Sequence, residues 1–450
     1  MTVNFQTGQR SVLVSQGSIL GPILFLVYIN DITEVVVSDI RIFTFIFRIA
    51  DPDSTAALNR DLEKISEWAH QWKMLFNPDI TKQAVEVVFS NKQKKHDFEP
   101  LSFNGIPVKV VNETKHIGMV LDKRLTFESH LDEKLAKARQ GLGLMKQLKK
   151  WVSYNVLESI YKLYVRPHIE YGDIVYDISC LAKTYIFNFE TANAISNKVE
   201  AIQYEAARIV SGAWKSTSKI KLYNNLGWES LNDRRTFRKL CLLYEILNNN
   251  FPRYLTKILD TQKYKTNSRL YNKLLMKNIP CRINRYKTYF FPSTINDWNK
   301  LEFDIKNSNS KNIFKKRLLN KIRPKGSPYF GIRDNTSIRY ITMLRMELSP
   351  LRAHKHKHNF KDTTDPFCIV CGSLEDTKHY LLLCKSYQLS RVTLLQNVSN
   401  ILKVNISTLP QRQMVSILLY GREDMNLECN HNILNEVINF IIKTKRLDTT

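Results

Sequence analysis

The sequence predicts an α+β protein, in which a partly stranded N-terminal region precedes a mainly helical region and a small cysteine-containing C-terminal module. Three observations predict this order. Residues 35–47 are rich in apolar, β-branched and aromatic side chains, as strands are. After His130, apolar residues recur at helical spacing. Near the C-terminus, three cysteines and a histidine lie close together in the sequence.

The N-terminal region alternates short strands with one long helix. Residues 11–30 run from a glycine-containing loop into an apolar segment, and residues 35–47 predict strand. Ser54 can cap a helix that ends before Asn77-Pro78. The apolar face of that helix is formed by Leu58, Leu62, Ile65, Ala69 and Trp72. Residues 84–90 and 103–120 then predict short strands and hairpins.

The helical region begins with a helix that is apolar on one side and basic elsewhere. Its apolar stripe consists of Leu131, Leu135, Ala138, Leu142, Met145 and Leu148. Its basic residues lie off that stripe and are Lys134, Lys137, Arg139, Lys146 and Lys149. Such residues bind the backbone of nucleic acid through phosphate contacts, although an ordinary solvated helix face is the alternative. Further helices are predicted at residues 156–165, 199–210 and 237–247.

A basic, aromatic-rich stretch at residues 264–320 connects the helical region to the C-terminal module. Its aromatics could stack on bases or pack in a core. They are Tyr286, Tyr289, Phe290 and Phe291. Arg323-Pro324-Lys325-Gly326 is the predicted linker. A closing pair of amphipathic helices is predicted near residues 387–402 and 433–442.

The charge of the chain indicates a polyanionic partner. Lys and Arg number 67 against 42 Asp and Glu, a net charge of +25. RNA or DNA is the expected partner, because such a surplus repels itself unless a polyanion lies nearby. A membrane is not, since the basic residues do not flank an apolar span and the run at 19–29 is too short for a bilayer.

The cysteines and the N-terminal residues indicate an intracellular protein. The chain has 7 cysteines, an odd number, which is typical of a reduced environment. We expect no secretory leader and a location in the nucleus or cytoplasm. Four cysteines are predicted to be core or surface thiols: Cys180, Cys241, Cys281 and Cys429.

The strongest chemical signal is the pattern Cys368-x2-Cys371-x7-His379-x4-Cys384. Three thiols and one imidazole at these spacings can close a tetrahedral structural Zn²⁺ site. The alternative is a set of reduced buried cysteines beside a surface histidine. Three histidines precede the pattern: His354, His356 and His358. Their alternation predicts a strand that points all three to one side. Phosphate contact or plain exposure is the expected role, rather than a second metal site.

A series of short strings along the chain carries a family resemblance. In order they are Ser15-Gln16-Gly17-Ser18-Ile19-Leu20-Gly21-Pro22, Asn77-Pro78-Asp79, His116-Ile117-Gly118, Tyr164-Val165-Arg166-Pro167-His168, Leu226-Gly227-Trp228, Phe290-Phe291-Pro292 and Leu419-Tyr420-Gly421. They resemble the reverse transcriptases of non-LTR (LINE-type, jockey-like) retrotransposons, in the C-terminal part from motif B onward. The common order makes the resemblance more specific than any one string.

The resemblance implies a domain order and a function. It implies a truncated reverse-transcriptase palm at 1–128, a helical thumb at 129–250, a basic connector at 251–326 and a C-terminal zinc-knuckle domain at 327–450. The implied activity is RNA-directed DNA polymerase, a nucleotidyltransferase of a mobile element. Gln16, Gly17 and Ser18 would contact template or nucleotide. The basic helix would follow a template-primer duplex, and the partners would be RNA and DNA, including the element RNA.

The catalytic carboxylates of the family do not appear intact in this sequence. Nucleotidyl transfer uses two Mg²⁺ ions held by nearby aspartates. In the family an adjacent Asp pair follows a strand resembling residues 40–43, yet here Thr44 follows directly and the chain has no Asp-Asp dipeptide. We expect the aspartate before motif B to be missing too, since Asp31 is the first acidic residue. Asp51 and Asp53 are separated by Pro52 and are predicted to cap a helix.

The sequence therefore predicts a reverse-transcriptase fragment that is inactive as written. An alternative is a non-catalytic, zinc-dependent RNA- or DNA-binding protein derived from a retrotransposon. A third is a decayed reading frame whose product folds partly or not at all.

Overall fold

The structure, a computed structural model, describes most of the chain. The described residues are 35–37, 39–41, 45–47, 52–72, 85–89, 100–175, 189–215, 217–248, 251, 253–260, 262–263, 273–282, 286–324, 326, 329, 332 and 334–448. They form two compact units, one within Met1–His130 and the other within Leu131–Thr450. The strands lie in the first unit and almost all helices in the second, in agreement with the predicted α+β class.

The strands of the first unit form two-stranded sheets. Three pairs are antiparallel: β1 (Asp39–Arg41) with β2 (Phe45–Phe47), β4 (Ser102–Phe103) with β5 (Ile106–Pro107), and β7 (Glu113–His116) with β8 (Met119–Asp122). A parallel pair joins β3 (Val85–Glu86) to β6 (Lys109–Val110). The β4–β5 turn has positive φ at both Asn104 and Gly105, the turn geometry that matches the twist of a hairpin.

The long helix of the first unit is α1 (Pro52–Gln71). It begins two residues before Ser54, so the predicted cap lies within the first turn. Ile65 and Ala69 are buried on its apolar face, as predicted. Trp68, which was not predicted there, is buried too, whereas Trp72 is 40% exposed, because it follows the last residue of the helix. Asn59 holds the helix to β4, because its side chain accepts the N–H of Ser102 and donates to the carbonyl of Pro100.

The second unit is helical. In its first half lie α2 (Glu128–Leu148), α3 (Tyr154–Ile160), a π-helical turn (Tyr161–Val165), α4 (Arg166–Glu170), α5 (Phe189–Ser211), α6 (Lys219–Leu226), α7 (Leu231–Leu247) and α8 (Arg253–Asp260). In its second half lie α9 (Phe290–Asn299), α10 (Phe303–Lys306), α11 (Lys311–Ile322), α12 (Asn335–Arg345), α13 (Arg352–Lys357), α14 (Gln388–Leu402), α15 (Gln411–Tyr420) and α16 (Leu427–Thr444). Helix α2 starts at the end of the first unit and continues into the second.

One core of the second unit lies between α7, α9 and α11. Phe314 is its centre, stacked on Tyr244 with ring centroids 4.4 Å apart and on Trp298 at 5.9 Å. Phe290 and Phe291 pack against this core, whereas Tyr286 and Tyr289 are exposed. The sequence left open whether these aromatics stack on bases or pack in a core, and the two phenylalanines pack in a core.

A second core lies between α12, α14, α15 and α16. Its fully buried residues include Ile341, Leu418, Ile433, Val437 and Ile441. The two closing helices predicted from periodicity are α14 and α16, with a further helix, α15, between them.

The histidine-rich segment 352–357 is the helix α13, not the strand that its alternation predicted. His354 is only 4% exposed, while His356 is exposed. Residues two apart lie on different faces of a helix, which is why the three histidines do not share one side.

None of the helices that the structure describes is long and apolar enough to cross a membrane.

Candidate metal centre

The three cysteines and the histidine of the predicted metal pattern meet at one point of the second unit. Sulfur atoms of Cys368, Cys371 and Cys384 and a ring nitrogen of His379 all lie within 4.8 Å of one another. The Cys384 sulfur is 3.9 Å from each of the other two sulfurs. All three cysteines are free thiols.

A tight turn presents the first two ligands. The N–H of Cys368 donates to the carbonyl of Ser373 at 2.8 Å, and the N–H of Gly372 donates back to the carbonyl of Cys368 at 2.9 Å. Gly372 has φ +64°, a conformation that favours glycine. The turn therefore folds Cys371 back beside Cys368.

A π-helical turn, His379–Leu383, presents the other two ligands. Asp376 accepts the N–H of His379 at 2.7 Å and so caps the start of this turn. The N–H of Cys384 donates to the carbonyl of His379 at 2.8 Å. The wider π-helical turn brings residues five apart in sequence onto the same face, which sets the imidazole next to the thiol.

These residues fit a zinc ion. A tetrahedral site with Zn–S bonds of about 2.3 Å sets the sulfurs about 3.8 Å apart, close to the spacing seen here. His379 is 3% exposed, and both of its ring nitrogens are buried without a hydrogen-bond partner. Buried polar atoms nearly always have a partner, so an imidazole in this state is suited to a metal ligand.

The electrostatics of the cluster favour a neutral histidine and make the Cys371 thiol easier to deprotonate. Burial lowers the pKa of His379. The backbone N–H of Lys385, 3.3 Å from the Cys371 sulfur, lowers the pKa of that thiol. Burial raises the pKa of Cys384 to about 11. Metal binding would have to deprotonate Cys384, as structural zinc sites do to their thiols.

The sequence reasoning missed Arg391, which supports the cluster from α14. Its guanidinium donates to the carbonyl of Cys384 at 2.8 Å, and its positive charge acts on Cys384 and Cys371. Glu375, whose charge acts on His379, accepts two 2.8 Å hydrogen bonds from Arg446. Arg391 lies in the first turn of α14, seven residues after Cys384, and no helical spacing links the two residues because Cys384 is not in a helix.

The basic residues predicted on α2 do not all face solvent. Lys137, Arg139 and Lys146 are exposed, and Lys146 pairs with Glu205 at 3.0 Å. Lys134 is only 8% exposed, with its ammonium 4.4 Å from the centroid of the Tyr171 ring. The sequence predicted an exposed Lys134, but its side chain is buried because it lies over the ring of Tyr171.

Lys149, the last of this group, is half-buried. Burial is the main cause that lowers its pKa, and the nearby charges of Arg339 and Arg208 add to it. The basic surface of α2 thus consists chiefly of Lys137, Arg139 and Lys146.

Some predicted residues lie outside the described part of the chain. Gln16, Gly17, Ser18 and Asp51 are among them. Asp53 lies in the first turn of α1, in agreement with its predicted place at a helix start.

Comparison with known proteins gives relatives for this chain. It is 24% identical to a probable RNA-directed DNA polymerase from transposon X-element of Drosophila melanogaster, over 289 residues that cover 60% of this chain and 28% of that protein. It is 28% identical over 216 residues to the RNA-directed DNA polymerase from mobile element jockey of Drosophila funebris, covering 44% of this chain and 22% of that protein. The corresponding jockey protein of Drosophila melanogaster is also 28% identical, over 222 residues.

These similarities confirm the predicted resemblance to the reverse transcriptases of non-LTR retrotransposons. The chain spans only about a quarter of the length of the curated relatives that it matches. No protein-family model matches the chain. No solved structure matches it either.

Proposed function

We propose that this chain is a fragment of an RNA-directed DNA polymerase of a mobile element, and that it has kept nucleic-acid binding but not nucleotide transfer. The similarity to the X-element and jockey polymerases supports the family assignment. The net charge of +25 supports a polyanionic partner, for which RNA, DNA and a template-primer duplex are the candidates.

The loss of nucleotide transfer follows from the missing Asp pair. Neighbouring carboxylates must coordinate two Mg²⁺ ions, which activate the primer hydroxyl and stabilise the leaving pyrophosphate. Thr44 stands directly after the segment that the family's Asp pair follows, and no Asp-Asp dipeptide occurs elsewhere in the sequence. The magnesium site expected for the family is therefore not intact in this chain.

Primer extension tests this. The purified chain is given Mg²⁺, deoxynucleotides and an RNA template annealed to a DNA primer, beside an active reverse transcriptase in the same buffer. We expect extension only in the second reaction. Magnesium-dependent extension by this chain itself would overturn the proposal.

A second candidate is a non-catalytic, zinc-dependent nucleic-acid-binding protein derived from a retrotransposon. The specific observation in its favour is the Cys368, Cys371, His379 and Cys384 cluster, whose geometry fits structural zinc. Such a module would order the C-terminal region for contacts with RNA or DNA.

Binding measurements separate the two candidates. Affinity for single-stranded RNA and for an RNA–DNA hybrid is measured over a range of salt concentrations, with the chain and with Cys371→Ser. We expect log K to fall steeply with log salt in both cases, as phosphate contacts require. Loss of binding in Cys371→Ser but not in Cys429→Ser favours the zinc-dependent candidate. Equal binding by both variants favours the charge-based one.

The proposed function also assigns a role to each region of the chain. Residues 1–128 would be the palm remnant, 129–250 the thumb, 251–326 the connector and 327–450 the zinc-knuckle domain. The exposed basic residues of α2 support a thumb that follows a nucleic-acid backbone.

A further inference from the structure

A cleft of about 1020 Å³ lies in the second unit, and none of the four cysteine-cluster residues lines it. Its walls come from the start of α3, the end of α6, one face of α11 and the segment that follows α11. Residues as distant in sequence as Tyr154 and Leu427 line it.

One wall of the cleft is strongly basic. Lys315, Lys316 and Arg323 line it, and the described residues that line the cleft include no Asp or Glu. Arg323 lies 3.6 Å from Glu229, which offsets its positive charge. The two lysines therefore supply most of the positive charge of this wall. A cleft with this charge attracts anions, because its low-dielectric walls focus the positive potential.

The basic wall is the solvent-facing side of α11. The opposite side of the helix is fixed in the core by Phe314 and Leu318, both fully buried. Ser310 caps the start of α11 by accepting the N–H of Ile313 at 3.3 Å. Burial of this face fixes the helix backbone, so that the lysines on the other face line the cleft.

Two glycines that line the cleft, Gly227 and Gly326, lie close together. A side chain on Gly227 would come 3.3 Å from the Cα of Gly326, and one on Gly326 would come 3.0 Å from the Cα of Gly227. Both have positive φ. Gly326 thus lies directly against the end of α6, and Arg323 donates to the carbonyl of Gly227 at 3.4 Å.

Another part of the cleft wall is polar and held by buried hydrogen bonds. Asn225 and Tyr329 are 3% and 5% exposed and are joined by a hydrogen bond. Behind them the guanidinium of Arg345 donates to the carbonyl of Leu419 and to Asn225, and it lies 4.8 Å from the centroid of the Tyr329 ring. Tyr154 meets Tyr329 edge-on at 5.2 Å and also lines the cleft.

The remaining polar groups of the cleft are amides. Asn155, Asn312 and Asn320 line it, each on the exposed side of its helix. Side-chain amides carry both donors and acceptors, which are the groups that pair with the edges of unpaired bases.

We propose that this cleft binds a short segment of single-stranded RNA or DNA, with its phosphates along Lys315 and Lys316 and its bases against Tyr154 and the asparagines. The proposal rests on the nucleic-acid binding proposed above and assigns it a place. Basic grooves with an aromatic platform are the usual design of single-strand sites.

The size of the cleft selects single strands over duplexes. Its volume is at the upper end of the range of small-ligand pockets, about 300–1,000 Å³. A few unpaired nucleotides fit such a space. A duplex does not, because its paired bases face each other and only its backbone could reach the lysines.

The test compares two double variants of the full, zinc-loaded chain. Lys315→Gln with Lys316→Gln removes two charges from the cleft. Lys219→Gln with Lys443→Gln removes two charges from exposed helix positions outside it. Fluorescence anisotropy gives the affinity for labelled single strands of about 10 nucleotides, within the range of single-strand site sizes, and for a duplex of the same length. Far-UV circular dichroism confirms that both variants fold.

We expect the cleft variant to lose about tenfold in single-strand affinity and about 1.4 in the slope of log K against log salt, at about 0.7 for each lost phosphate contact. Its duplex affinity and the control variant should change by less. An equal loss in both variants, or an equal loss for duplex and single strand, overturns the assignment of the cleft alone. If the unmodified chain binds no nucleic acid, the proposed function fails with it.

Discussion

Tyr161 and Trp228 stack face to face in the second unit, with ring centroids 4.5 Å apart and 13° between the ring planes. The Tyr161 hydroxyl donates to Gln203 at 2.6 Å, and the indole N–H of Trp228 donates to Glu158 at 2.8 Å. Tyr161 lies three residues before one string that resembles the polymerase family, and Trp228 ends another. Both rings are buried. The contact between them therefore holds the π-helical turn that contains Tyr161 against the segment that contains Trp228.

Tyr161→Phe should destabilise the chain by about 1–3 kcal/mol, because it leaves the buried side-chain oxygen of Gln203 without its donor. The ring stays in place, so the stacking on Trp228 is kept. Urea unfolding followed by circular dichroism measures the change. Tyr164→Phe is the control: that side chain is 64% exposed, and the change should stay within about 0.5 kcal/mol. Equal effects of the two substitutions would contradict the importance of the buried hydrogen bond.

Gly227→Ala should destabilise the chain by at least about 1–2 kcal/mol. Gly227 has φ +67°, where an L-residue is strained, and the added methyl would come 3.3 Å from the backbone of Gly326. Thermal unfolding measures the loss. Gly143→Ala in α2 is the matched control, since nothing lies within 4 Å of its added methyl. It should be neutral or stabilise by up to about 1 kcal/mol. A tolerated Gly227→Ala would mean that the two backbones are not in contact.

Cys371→Ser should weaken zinc binding by more than about 100-fold, since loss of even an outer-shell partner costs about 10–100-fold. Zinc content after dialysis, measured by atomic absorption, should fall from a single ion per chain to background. Cys429→Ser is the control, because Cys429 lies at the start of α16 and is not part of the cluster. Zinc retained by Cys371→Ser would refute the assigned ligand set.

Stability should fall on acidification in a way that depends on His354. Burial lowers the pKa of this side chain from 6.5 to about 4. Between those values the unfolded chain binds more protons than the folded one, so the stabilisation is complete above pH 6.5 and is lost as the pH falls toward 4. The difference corresponds to about 3 kcal/mol at most.

The measurement is the free energy of unfolding from pH 7.5 downward. His354→Gln should give a flatter pH profile than the unmodified chain, whatever its stability at neutral pH. His356→Gln, a change at an exposed histidine two residues away, should leave the profile as it is. A profile unchanged by His354→Gln would show that this histidine is not buried in its neutral form.

Periodicity in the sequence identified elements and their apolar faces well. The stripe from Leu131 to Met145 is buried along α2, and the spacing of the cysteines and His379 was enough to predict a cluster that the structure then brings together. Both patterns are local, because a helix face and a metal turn are specified by residues close together in the chain.

Sequence spacing predicted the wrong exposure for some single polar residues. Alternation placed His354 and His356 on one side of a strand, but they lie on a helix and only His356 is exposed. Lys134 was placed among exposed cations, but it reaches over the ring of Tyr171. In each case a distant segment determined the environment, and no local spacing reports on that.

The sequence by itself determined the charge, the order of the helices, the zinc-ligand pattern and the absence of an Asp pair after Phe43. Only the tertiary structure decided that Tyr154, Lys315 and Gly326 line one cleft, and that Gly326 packs on Gly227. The reason is physical: periodicity fixes which face of one element is apolar, whereas a cleft depends on how elements far apart in the chain pack against each other.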